Sequence, residues 1–109
     1  MGILELILGR NKIDESRLLG CWHLVRVDGP DSPDGVELDF RPDGLLYSST
    51  KNGDKWEVIR LVYQLSGSVI VSSGNVRTGF TFEPDGTLRL DADDSCTWYE
   101  RGPKRAPEP

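Results

Sequence analysis

Phe40-Arg41-Pro42-Asp43-Gly44-Leu45-Leu46 recurs downstream as Phe82-Glu83-Pro84-Asp85-Gly86-Thr87-Leu88. Each copy is a hairpin spelled out in residues. Proline pre-sets φ at the first turn position, Asp suits the second, and Gly takes the left-handed conformation that closes a bulged turn. An apolar residue leads in and another leads out. The phrase therefore predicts antiparallel strands on both sides of each copy.

Working outward from it, alternation and turn chemistry predict eight strands, at 21–27, 35–41, 44–50, 56–65, 68–73, 76–83, 87–91 and 96–101. The dipeptides Asn52-Gly53, Ser66-Gly67 and Gly74-Asn75 mark tight turns, and Asp91–Ser95 marks the last bend. Residues 28–35 hold two prolines and read as a loop. Val36, Leu38 and Phe40 share one face, and Glu37, Asp39 and Arg41 the other; Leu88 and Leu90 alternate with polar neighbours in the same way. Short strands with one apolar face, joined by hairpins, close most simply into an all-β, eight-stranded antiparallel up-and-down barrel, which also removes its edges. The two hairpin phrases then fall on the same rim.

The chain has 109 residues, enough for one domain with one core. Residues 1–12 form an apolar segment in which Ile3, Leu4, Ile7 and Leu8 share a helical face. A second short helix is expected from Ile13 to Leu19, with Asn11 or Asp14 as its cap and Gly20 as its stop. The barrel is expected over 13–101, and a disordered tail without an apolar anchor over 102–109. No apolar run approaches the roughly 20 residues of a membrane span. Residues 3–8 offer at most weak peripheral membrane contact. The first residues carry Glu5 and no basic, cleavable leader pattern, so a cytoplasmic location is expected. Thirteen Lys and Arg against 18 Asp and Glu, a net charge of −5, argue against nucleic acid as a partner.

Leu19-Gly20-Cys21-Trp22-His23-Leu24-Val25 resembles the Gly-x-Trp opening of the lipocalin-like (calycin-type) families. The order that follows is similar to the bacterial lipocalin-like domains: Phe40 with Asp43 and Gly44, then Tyr63 and Leu65 before Ser66-Gly67, then Tyr99 with Arg101. The resemblance implies barrel closure by Gly20, Trp22 and Arg101, with Arg101 stacked over Trp22, and a binding role without a cofactor. The strands are shorter than in full lipocalins, so any enclosed cavity is expected to be small. In such a barrel the first and last strands are antiparallel neighbours. Cys21 and Cys96 each begin one of them, so they fall at opposite ends and are expected as free thiols.

Candidate chemistry is sparse. His23, the lone histidine, alternates with Trp22 and has no adjacent nucleophile motif, so a surface or rim position is expected rather than catalysis. The loop aspartates recur at every third residue, not at the alternate positions of a calcium loop, and no metal site is predicted. Trp56 and Trp98 read as cross-strand packing. Two readings of function remain. The first is a non-catalytic barrel holding a small apolar ligand, lined by Trp22, Phe40, Tyr47, Tyr63, Phe80 and Phe82. The second is a small acidic immunity- or inhibitor-type module whose Asp28, Asp31, Asp34, Glu37 and Asp39 engage a basic protein.

Overall fold

The computed structural model describes residues 16–28 and 35–107. After a helical turn at 16–18 come eight strands: β1 (Gly20–Val27), β2 (Val36–Phe40), β3 (Leu45–Asn52), β4 (Lys55–Ser66), β5 (Val69–Ser72), β6 (Val76–Phe82), β7 (Leu88–Asp91) and β8 (Cys96–Arg101). All pair antiparallel in chain order, and β8 returns to β1 to close the barrel. The expected fold class is the observed one. The apolar segment at 1–12, the start of the second helix, Asp31 and Asp34 lie outside the described residues. Among the described residues no helix is long and apolar enough to cross a membrane.

The twin phrases form matching hairpins on one rim. Arg41 N–H donates to the Leu45 carbonyl at 2.9 Å, and Glu83 N–H donates to that of Thr87 at 2.9 Å. The Asp43 and Asp85 carboxylates accept from the Leu45 and Thr87 amides. Those bonds from Thr87, side chain first, hold the Asp85 carboxyl below its usual range. Gly44 and Gly86 sit at φ of 84° and 91°, where a Cβ would be strained.

That rim is closed by apolar packing. Leu18, Trp22 and Leu88 are buried, and the Trp22 indole Nε1–H donates to the Leu18 carbonyl at 2.8 Å. Arg101 lies over the Trp22 ring, 4.3 Å from its centroid, as the resemblance implied. Its guanidinium also donates to the carbonyls of Leu19 and Arg17, tying the helical turn to the last strand. Arg17 in turn covers Phe82 at 4.0 Å.

Two features depart from simple alternation. With Trp22 and Leu24 on the inner side of β1, strict period two would point Arg26 into the barrel. The β1–β8 register instead slips between Leu24 and Arg26, leaving Val25 as a bulge. Arg26 thereby turns outward onto the Trp98 ring at 3.8 Å.

The second departure corrects the expected disordered tail. Residues 102–107 are docked on the outer face of β1, β2 and β3. Gly102 N–H extends the ladder to the Cys21 carbonyl, and Ala106 is buried. The anchor is polar rather than apolar. The Glu37 carboxylate accepts from the backbone N–H groups of Arg105 and Ala106 at 2.7 and 3.1 Å.

Candidate functional site

The barrel interior divides along its axis. Toward the closed rim it is filled: Trp22 tilts against Phe82, Phe80 meets Phe82 edge to face, and Tyr63 meets Phe40 likewise at 5.3 Å. Tyr63 Oη also donates to the Arg41 carbonyl of the first hairpin. Toward the opposite rim the inward side chains shorten to Ser48, Ser72, Thr78 and Thr97. Here lies a cavity of about 330 Å³ that reaches the β7–β8 turn at Ala92 and Ser95. Its apolar wall includes Leu38, Phe40, Leu46, Leu61, Ile70 and Leu90, with Tyr99 above. Burial pushes the Tyr99 phenol above its ordinary range, so it stays a neutral group in that wall.

The structure corrects the expected lining. Of Trp22, Phe40, Tyr47, Tyr63, Phe80 and Phe82, only Phe40 borders this cavity. Trp22, Tyr63, Phe80 and Phe82 are part of the closed-end packing, and Tyr47 points outward. The missed signal is the parity of the small residues. Ser48 follows Leu46, Ser72 follows Ile70, Thr78 precedes Phe80 and Thr97 precedes Tyr99, each two positions from an inward apolar residue and so on the same face. Large residues fill space, and small ones at the same parity leave it.

The outer face of β1–β3 holds a second constellation. Register places His23 opposite Glu37, Glu37 opposite Ser49, Cys21 opposite Asp39, and Asp39 opposite Tyr47. All should face solvent by alternation, yet Glu37 and Ser49 are 0% and 1% exposed because the tail lies over them. Lys104 reaches Asp39 at 3.3 Å and Glu37 at 3.9 Å. Arg41 donates to Asp39 at 3.0 Å and stacks on Tyr47 at 4.3 Å. His23 Nε2 lies 2.6 Å from the Pro103 carbonyl, and its Nδ1 lies 3.7 Å from Glu37 Oε1. A Cβ at Gly102 would collide with the His23 ring, so the close approach of tail and imidazole requires glycine there. Burial, then the Glu37 and Asp39 carboxylates, push the Cys21 thiol up to about 12.

This arrangement revises the acidic patch. Glu37 and Asp39 already meet a basic group, the chain's own Lys104, and neither is free to greet a partner. Asp28 is exposed at the far end of β1, away from them. His23 is a partly buried residue held between the tail and Glu37 rather than a free rim histidine. Cys21 and Cys96 lie at opposite ends of the β1–β8 ladder as expected: Cys21 beside Gly102, Cys96 beside Asp28. Comparison of the chain with protein-family models and with curated proteins yields no match.

Proposed function

We propose that this protein is a non-catalytic lipocalin-like binding domain that holds one small, mostly apolar molecule in the open half of its barrel. The observation that carries the reading is the cavity of about 330 Å³, walled by aliphatic side chains and ringed by hydroxyls. Ligand sites usually span about 300–1,000 Å³ and combine an apolar wall with a few placed polar groups. A volume at the lower end of that range selects a compact ligand. Ser48, Ser72, Thr78 and Thr97 supply the hydrogen bonds that would orient a single polar end. The Arg101–Trp22 closure supports kinship with the calycin-type barrels.

Native mass spectrometry of protein purified from its source tests the reading, with a retained small molecule as the expected result. Adding that molecule at 100 times its Kd stabilises the fold by about 2.7 kcal/mol, read as a rise in Tm. Ser72→Phe, which fills the open half, abolishes both effects while the barrel stays folded. Protein that carries nothing, with a Tm unmoved by a panel of small apolar compounds, sinks the reading. The acidic-module alternative is not favoured, because two of its five carboxylates are covered by the tail.

A further inference from the structure

On the outer face of the barrel, Cys21, His23 and Glu37 bring one sulfur, one imidazole nitrogen and one carboxylate oxygen within 4.8 Å of one another. Their placement follows from the sheet: Cys21 and His23 are two apart on β1, and Glu37 pairs with His23 from β2. Three side chains from two hydrogen-bonded strands therefore converge on one point without help from a loop.

The tautomer of His23 sharpens this. The Pro103 carbonyl can only accept, so Nε2 at 2.6 Å carries the proton. In the neutral ring Nδ1 then presents its lone pair toward Glu37 Oε1 at 3.7 Å. A histidine that donates one ring N–H to a backbone carbonyl and aims the other nitrogen at a carboxylate has the orientation usual in metal-ligating imidazoles. Bonds of 2.0–2.3 Å to a tetrahedral ion put neighbouring donor atoms about 3.3–3.8 Å apart. The His23–Glu37 separation already lies there, and the Cys21 sulfur is within 4.8 Å of the ligand atoms of both.

The surroundings are those of a supported site. Glu37 is oriented by the Arg105 and Ala106 amides, and His23 by Pro103, so the docked tail fixes two of the three ligands. Lys104 is the opposing charge, and it lies nearer Asp39 than Glu37. Ser49, opposite Glu37 and 1% exposed, has a hydroxyl with no hydrogen-bond partner among the described residues. The pocket thus keeps an unused polar group beside its carboxylate.

We infer that Cys21, His23 and Glu37 form a binding site for a borderline-soft divalent cation of the zinc class, clasped by residues 102–106. A sulfur, nitrogen and oxygen donor set selects such an ion over calcium or magnesium. On binding, Cys21 releases its thiol proton to solvent and coordinates as the thiolate. The fourth position is left to water or another small donor. Tail docking and metal binding reinforce each other, because the tail orients two ligands: both Glu37 oxygens through the Arg105 and Ala106 amides, and His23 through the Pro103 carbonyl.

Titration of the full chain, first treated with chelator, with Co²⁺ and separately with Zn²⁺ tests the site. One ion per chain is expected, with a thiolate-to-cobalt charge-transfer band that Zn²⁺ displaces. Cys21→Ser removes the band, His23→Gln weakens Zn²⁺ binding more than about tenfold, and Cys96→Ser leaves both unchanged. Wild-type protein that gives no thiolate band overturns the inference even if a variant fails to fold. So does a band that survives Cys21→Ser in folded protein or disappears in Cys96→Ser.

Discussion

Cys21 and Cys96 stand at opposite ends of the same ladder in nearly the same company. Each lies across the sheet from an aspartate on its outer face, Asp39 or Asp91. Each aspartate accepts from an arginine two positions away, Arg41 at 3.0 Å or Arg89 at 2.9 Å. The cover differs. The Asp39 side chain is 12% exposed beneath the tail, while Asp91 is 37% exposed beside a bare turn. At the open end the Cys96 thiol donates to Asp91 at 2.7 Å. That bond, ahead of any burial, raises the thiol and lowers the aspartate. At the covered end burial leads, and the field of two carboxylates follows. The same residue types make a surface ion pair in one place and a buried polar pocket in the other.

The largest contrast is expected at the residue that makes the cover. Glu37→Ala leaves the two tail amides without their acceptor and Lys104 short of one carboxylate, and should cost about 2–4 kcal/mol in urea unfolding. Asp91→Ala, in a solvated pair, should cost no more than about 1 kcal/mol. Equal losses would mean that the tail contributes nothing. Hydrogen exchange supplies the local reading: the Arg105 and Ala106 amides are protected in the wild type and exchange freely in Glu37→Ala.

Thiol chemistry gives the next effect. In chelator-treated protein at pH 8, iodoacetamide should modify Cys96 at least about tenfold faster than Cys21, because Cys21 is screened and holds its proton more tightly. A chain ending at Gly102 should narrow that gap by speeding Cys21 alone. If both thiols respond to truncation, the tail is not a local cover.

A smaller effect is expected in alkali. The Cys21 value is raised from 9.0 to about 12, so across that window the folded protein keeps a proton that the unfolded chain has released. The associated stability is present below pH 9 and is lost as pH rises toward 12. Chelator-treated Cys21→Ser should therefore lose stability less steeply than wild type over pH 9–11, followed by urea midpoints. A slope unchanged by the substitution would place Cys21 in a solvated setting like that of Cys96. Smallest of all, Arg89→Gln should leave the urea midpoint essentially where it is, since its partner is well exposed.

The twin Phe-x-Pro-Asp-Gly phrase was legible because every residue in it acts locally: Pro42 and Pro84 on φ, Gly44 and Gly86 at positive φ, Asp43 and Asp85 on the next amides. Alternation was legible for the same reason, and it sorted Leu38 from Glu37 correctly. It did not tell that the outer side of β2 is covered. The covering segment has no apolar run to announce it; it is held by backbone amides on one carboxylate and a lysine between two. The bulge at Val25 was hidden too, since it answers the cost of an inward Arg26 rather than any turn residue.

The amino-acid order by itself determined the number of strands, their turns and the separation of the two cysteines. These rest on short-range sterics, and on period two carried along each strand. Tertiary structure alone decided which inward positions leave a cavity and which outward carboxylates lose their water. Both depend on what lies opposite after closure. A serine makes space only when its neighbours around the barrel are also small, and Glu37 is buried only because a segment sixty-eight residues away in the chain donates its amides to it.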